Sequence, residues 1–399
     1  MERTGKLLGV KTNWQDREAY LLDNHLIRLI TLTGGGHVAE FRFADSSGFP
    51  TMNPLWVPPW KTIEPYRYRS KDHAGVYGTI TEGKLLSGIV GHNICLDYFG
   101  SPSEEEAAQG LSQHGEAPSA RWRKTRLSLT RQRAALTLSV RLPVSGLRFS
   151  REICLRAGES VAYFKETVTN ERQADHFFHW TQHVTLGPPF LSNQDSRIFI
   201  PATRAKTFPH GYDEGKALLA SNQEFRWPAA PTPEGRKVDL TRVLLKPGLG
   251  FVASALLDPR REIGFVAATN IRERLLIGYC FSRRDFPWVA VWEENRAIAA
   301  PPWKGKCQAR GLEFGASPVP VSRREAFGLG PIFNVPTLAC LPARGQKTIR
   351  YLAFLTQLPQ NFGELRDIQL SANEIQLVGS RSKDIHRVPA SGAIQTGLG

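Results

Sequence analysis

The sequence predicts an all-β protein of large antiparallel sheets, on three observations. Apolar residues recur with a period of two, clusters of turn-forming residues separate the alternating runs, and helical periodicity is scarce. Leu136, Leu138, Val140 and Leu142 alternate with Thr137, Ser139 and Arg141, the spacing of a strand with one buried face. Ala39–Phe43, Arg126–Thr130, Val161–Thr169, Trp288–Trp292 and Ile349–Leu355 repeat the pattern. Arg156–Ser160, Asn170–Ala174 and Pro342–Gln346 supply turns between such runs. Gly34-Gly35-Gly36 reads as a glycine turn between strands Leu26–Leu32 and Val38–Phe43, because the helix that a phosphate loop needs does not follow it.

Only Ser103–Gln109 and Phe362–Ile368 carry short helical patterns, and no βαβ rhythm is present. The strand rhythm runs from about residue 7 to about residue 378. The proline-rich stretch Trp227–Gly235 interrupts it as an external loop, since strands resume on both sides. The expected organisation is a single domain over residues 1–379, with a polar, Gly- and Ser-rich tail over 380–399 that frays. Many antiparallel strands in one unit imply packed sheets whose concave side can hold a ligand.

A hydrophobic content of 41% gives ample material for a large core. The net charge of +14 attracts anions at long range and admits nucleic acid, anionic membrane or phosphorylated sugar as partners. A nucleic-acid protein gathers its basic residues on one stripe; here they are spread, singly or in pairs such as Arg260-Arg261, Arg283-Arg284 and Arg323-Arg324. No nucleic-acid partner is expected. Five cysteines stand far apart with no Cys-x-x-Cys pair, which predicts buried free thiols in a reducing compartment rather than a disulfide framework or zinc site. Met1–Val10 has no apolar core of signal-peptide length, and no uncharged apolar run is long enough to cross a bilayer. The expectation is a soluble cytoplasmic protein, monomeric or homodimeric, with no membrane partner.

Three segments could carry chemistry. In Gln113–Trp122, His114 is followed by Gly115 on a loop entering a strand, which leaves the imidazole unhindered. In His179–Leu191, period-two geometry puts His179, Thr181 and His183 on one face and Trp180 and Gln182 on the other. In Arg310–Pro318, Glu313 lies between glycines where a strand ends. Singly, each has a plain structural reading, as a hydrogen-bonded histidine or a solvated glutamate. The histidines lack the close spacing of metal ligands, so no metal is expected.

Taken together and in this order, the three segments resemble the galactose mutarotase (aldose 1-epimerase) superfamily. That family shows a His-Gly motif, then a strand histidine followed by a glycine, then a glutamate in a Gly-flanked segment. Here these are His114-Gly115, His183 with Gly187, and Glu313. Leu32–Glu40 is similar to the family's early glycine turn and Asn53-Pro-Leu-Trp56 to its substrate-side loop. Arg151–Ser160 is similar to its strand and turn ahead of Val168-Thr-Asn170. The likeness spans about Leu26 to Leu355. Well-characterised members have a second glycine where Glu116 stands, an asparagine in place of Gln182 and a proline in place of Phe314. The Trp180-x-x-His183-x-x-x-Gly187 form is closer to less characterised branches.

The resemblance implies a galactose mutarotase-like β-supersandwich and interconversion of sugar anomers, with a sugar or oligosaccharide as partner and no cofactor. It implies Glu313 as general base, His183 as general acid and His114 as a group polarising the ring oxygen or a neighbouring hydroxyl. A carboxylate and an imidazolium suit those proton transfers. Trp292 and Trp56 would stack on the sugar's C–H face, with core packing the alternative for Trp292. Arg67 or Arg69 would stand for the family's sugar-binding Asn-Arg pair. Glu116 and His179 complete the expected substrate-binding set. Three other readings are open: a phosphorylated-hexose epimerase, a non-catalytic carbohydrate-binding or sensing module, and a hydrolase or lyase. A hydrolase needs a second carboxyl, for which Glu116 or Glu294 is available.

Overall fold

The computed structural model describes residues 7–381 and 384–392. Two antiparallel sheets pack face to face. The larger has twelve strands. It opens with a meander of Leu8–Trp14, Arg17–Asp23, Ile27–Leu32 and Val38–Phe43. It continues through His92–Asp97, His176–Leu186, Gln308–Gly315, Trp288–Asn295, Leu249–Leu257, Ala202–Thr207 and Glu224–Arg226, with Ala339–Leu341 paired beside the start of His176–Leu186. The smaller sheet has eight strands, in the order Ser196–Phe199, Ile263–Asn270, Leu275–Ser282, Gln346–Gln357, Val161–Asn170, Leu147–Arg156, Arg133–Leu142 and Arg123–Leu129.

Strand alternation divides each sheet into a core face and an outer face. In His176–Leu186, Phe178, Trp180 and Val184 enter the main core with Leu136, Phe149, Phe164, Tyr279 and Leu355 of the opposite sheet. His179, Thr181, His183 and Thr185 therefore face the other way. Gln182 shares the core face and meets a buried polar network. Arg151 donates from Nε to Glu166 at 2.7 Å and from Nη2 to Gln182 at 3.2 Å, while Gln182 donates to Glu166 at 2.6 Å. The Tyr351 hydroxyl donates to Glu166 at 2.8 Å, and His92 Nε2 lies 3.1 Å from Gln182 Oε1. Such pairing is what makes a fully buried ion pair tolerable between two apolar sheets.

The glycine turn is as expected: Gly35 and Gly36 take φ of 81° and 64°, and a Cβ at position 36 would stand 2.6 Å from the Trp122 ring. Ser103 caps the short helix Glu104–Ala108 through a reciprocal pair of hydrogen bonds with Glu106. The second helical expectation is overturned. Phe362–Ile368 is not helical; Leu365–Leu370 is a strand that pairs with Glu374–Gly379, which pairs with Ile385–Pro389. A bulge between Leu365 and Asp367 puts buried Leu365 and Ile368 three residues apart, and that spacing imitates a helix. This three-stranded sheet packs through Ile368, Ile375, Leu377 and Val388 on the outer face of the eight-stranded sheet, against Val161, Phe265 and Leu276. The segment from Ser380 onward thus does not simply fray. Ile385–Pro389 is a paired strand with Val388 buried, hidden in the sequence by polar His386, which is half-buried against Thr356, and by exposed Arg387; residues 393–399 lie outside the described residues.

Within Trp227–Gly235, Ala229–Pro231 forms a small hairpin arm with Lys237–Asp239. Helices over Ser70–Tyr77, Gly83–Leu86 and Arg323–Leu329 were not legible in the sequence. Cys95, Cys154, Cys280 and Cys307 are buried free thiols, whereas Cys340 is exposed, against expectation. No helix among the described residues is long and apolar enough to cross a membrane.

Candidate active site

The register that pairs Gln182 with Phe314 and Thr185 with Gly311 sets His183 directly opposite Glu313 on the outer face of the larger sheet. His183 Nε2 and Glu313 Oε1 are 3.1 Å apart. His114 arrives from a separate loop. Both His114 and Gly115 have left-handed backbones, at φ 65° and 85°, and a Cβ at position 115 would collide with the Leu96 carbonyl. That turn brings the His114 ring to 4.6 Å from the His183 ring, centroid to centroid. Trp292, one strand further, lies 6.0 Å from His183.

These four residues line one cavity of about 480 Å³, within the usual range for small-molecule sites. Its walls come from loops and the short helix Gly83–Leu86 over the sheet, with Leu85, Phe99, Tyr212 and Trp303 giving apolar and aromatic surface. Glu313 is 3% exposed, His114 4% and His183 6%. Burial pushes the Glu313 carboxyl well above the usual carboxylate range. Burial also pushes His183 down to about 4 and His114 well below its ordinary value, the latter helped by the neighbouring His183. Thr185 Oγ1 lies 3.0 Å from His183 Nδ1 and fixes the ring so that Nε2 points at Glu313.

The remaining expected residues fall elsewhere. Trp56 is buried behind the cavity, stacked on Trp303 at 6.2 Å; a Cβ on Gly187 would meet its ring at 2.6 Å. It supports the wall and does not line it. Arg67 ends a short 3-10 turn on the surface, near Tyr66, and Arg69 caps the helix Ser70–Tyr77; neither lines the cavity. Glu116 is turned away, accepting the Val144 and Ser145 backbone N–H groups at 3.2 and 2.7 Å. His179 shares the His183 face but sits two residues too early. Its Nδ1–H donates to the Asp97 carbonyl at 3.2 Å, and burial beside Val319 and Ala326 lowers it to about 4.

No protein-family profile matches the chain, and no curated protein is similar to it in sequence. Solved structures are similar in shape. A protein proposed to be an aldose 1-epimerase, from Klebsiella pneumoniae, superposes with a TM-score of 0.61 at 12% identity, covering 88% of this chain and 87% of its own. A galactose mutarotase-like protein of Clostridium acetobutylicum gives 0.56 at 12% identity, covering 88% and 98%. A protein of Escherichia coli, also proposed to be an aldose 1-epimerase, gives 0.54 at 14% identity, covering 85% and 99%. The chain has the galactose mutarotase-like fold.

On this mutarotase-like scaffold, several residues lining the cavity or paired with its residues escaped sequence reasoning. Tyr212 accepts the Trp292 Nε1–H at 2.9 Å and donates to Glu294 at 2.7 Å, while Glu294 also accepts the Ala297 and Ile298 backbone N–H groups. The indole is thereby held against the cavity. Asn93 pairs with His183 in the neighbouring strand, and both its side-chain amide atoms are buried without a partner among the described residues. Glu82 and Asp213 line the wall, and burial raises Glu82. Loop residues such as these carry no periodic signal, and only Asn93, on the site face of its strand, had a spacing that could have exposed it.

Proposed function

We propose that this protein is an aldose 1-epimerase that opens and recloses the ring of an uncharged sugar by acid–base catalysis. The observation that carries the reading is the Glu313–His183 contact at 3.1 Å, buried in a cavity with His114 and Trp292. Glu313 as carboxylate takes the proton from the anomeric hydroxyl. His183, protonated at Nε2 with its Nδ1–H on Thr185, gives a proton to the ring oxygen. The C1–O5 bond breaks as the C1=O1 bond forms. After rotation about C1–C2, His183 recovers the proton from O5, Glu313 returns one to O1, and the ring closes on the other face. The pair carries the same charge before and after. At rest burial favours the uncharged carboxyl and imidazole, and one proton passed across the 3.1 Å contact from Glu313 to His183 gives the active pair, in which burial makes the carboxylate a stronger base and the imidazolium a stronger acid than in water. His114 hydrogen-bonds an adjacent oxygen, and Trp292 stacks on the C–H face.

The choice of an uncharged sugar rests on the lining. Glu82, Asp213 and Glu313 line the cavity, and no Lys or Arg does among the described residues, although the chain as a whole is strongly basic. Carboxylates accept hydrogen bonds from sugar hydroxyls and repel a phosphate. Hydrolysis with Glu116 or Glu294 as second carboxyl finds little support, because both are held by backbone N–H groups. The buried free thiols suit a cytoplasmic location.

The test is NMR saturation exchange between α and β anomeric protons over a panel of free and phosphorylated sugars, for wild type and Glu313→Gln. The expected result is exchange of a free sugar that the substitution slows at least ~100-fold, in keeping with a general base. Binding without faster exchange in wild type would make the protein a sugar-binding module, and release of reducing ends from an oligosaccharide would make it a hydrolase.

A further inference from the structure

A second cavity, of about 510 Å³, shares no lining residue with the first. It lies at the seam between the edge of the eight-stranded sheet and the segment leading into the three-stranded sheet, bounded by Ser196–Phe199, Thr269–Arg274 and Leu358–Leu365. We propose that this cavity binds a phosphorylated small molecule through Arg197, Arg242 and Arg274.

Arg197 and Arg242 face each other across an antiparallel bridge. Like charges directly opposite repel, and an anion between the two guanidinium groups would relieve that repulsion. The third guanidinium is set in place by the chain: Arg274 has a left-handed backbone, φ 54°, and its Nη1 donates to the Leu358 carbonyl at 3.1 Å. Arg197 likewise donates only to neutral carbonyls, of Gln194 and Ser196. The Arg242 side chain is exposed and has no hydrogen bond or ion pair with any described residue. None of the three forms an ion pair with a described carboxylate. Glu364 is the single acidic residue among the described lining residues, which leaves two cationic charges uncompensated. A phosphate monoester, with about two negative charges near neutral pH, matches that excess. Guanidinium forks suit its oxygens better than any other side chain does. Phe199, Ile271, Leu358 and Phe362 line the rest of the cavity and offer apolar contact to the body that carries the phosphate. The Thr269 hydroxyl adds a polar group to the wall.

The phosphoryl group could be borne by a sugar or by a nucleoside, and calorimetric titration of the full chain separates the two. The probes are inorganic phosphate, glucose 6-phosphate and AMP, with glucose and adenosine as controls lacking the phosphate. The expected result is that at least one phosphate-bearing probe binds. Its affinity falls at least ~10-fold in Arg242→Ala and in Arg197→Ala, drops as salt is raised, and is unchanged in Glu313→Gln. A preference for AMP assigns a nucleoside body, a preference for glucose 6-phosphate a sugar, and equal binding of all three probes recognition of the phosphate alone. Arg242→Lys, which keeps the charge and loses the fork, should fall between wild type and alanine. Thermal melting confirms that each variant is folded. Absence of binding by all three phosphate probes at millimolar concentration, or affinity that ignores both arginine substitutions, overturns the proposal.

Discussion

Glu313 reaches back along its strand over Gly311, and a methyl group on residue 311 would overlap Glu313 Oε1. Gly311 also pairs with Trp292, whose Cβ would stand 3.2 Å from the added carbon. The glycine two residues before the glutamate is therefore the space that the carboxyl group occupies. Gly311→Ala should leave melting temperature nearly unchanged, because the displaced atoms are the free end of a side chain. It should also lower anomeric exchange by ~10-fold or more by moving the carboxyl off His183, since misplacements of about 1 Å have effects of that size. Full activity in a folded Gly311→Ala protein would remove Glu313 from its proposed role.

Tyr212 links Glu294 to Trp292, so Tyr212→Phe leaves the indole N–H without its acceptor while Glu294 keeps its two backbone donors. The expected effect is a several-fold rise in KM with a smaller change in kcat, together with a shift in tryptophan emission. A loss of about 1 kcal/mol in stability accompanies it, the usual contribution of one such hydrogen bond. Unchanged KM would mean that Trp292 does not meet the sugar.

Acid should destabilise the protein before it reaches the carboxylates. His37, His179 and His183 are held neutral by burial, at about 3, 4 and 4. In the unfolded chain they titrate near their ordinary value of about 6.5. As pH falls below that value, the unfolded state gains protons that the folded state refuses until about pH 4, so stability drops across this window. Each contributes up to about 2 kcal/mol by pH 5. Glu313 acts in the opposite sense: its raised carboxyl holds a proton that the unfolded chain releases, so its contribution is lost as pH rises through its folded value. Melting temperature should fall between pH 7 and pH 5; a flat profile over that interval would contradict the burial of these rings.

Arg151→Met should be severely destabilising, by about 3–5 kcal/mol, because it strands Glu166 between the sheets with only Tyr351 and Gln182 as donors. Arg151→Met combined with Glu166→Gln should recover much of the loss in urea melts. Equal stability of the single and double variants would show that the pair is not coupled.

Period-two alternation made the fold legible, and it also made His183 legible, since the face of a strand follows from parity alone. Parity could not tell His179 from His183, two residues apart on one face; what separates them is which loop covers each, and covering loops have no period. Arg67 and Glu116 were attractive by residue type, but Glu116 is held by the Val144 and Ser145 backbone N–H groups and Arg67 lies at the surface, facts set by tertiary structure. The spacing of Leu365 and Ile368 misled for a different reason: a bulge inserts one residue into a strand and so produces a helical interval. Tyr212 holds Trp292 through hydrogen bonds that no linear pattern records.

The strand Gln308–Gly315 is wedged between His176–Leu186 and Trp288–Asn295, both made earlier by the ribosome. During synthesis those two strands therefore wait with open edges, and a bare backbone edge invites the wrong partner. The segment that closes the gap is also the one that delivers Glu313, so the joining of the two halves of this sheet and the meeting of Glu313 with His183 are one event.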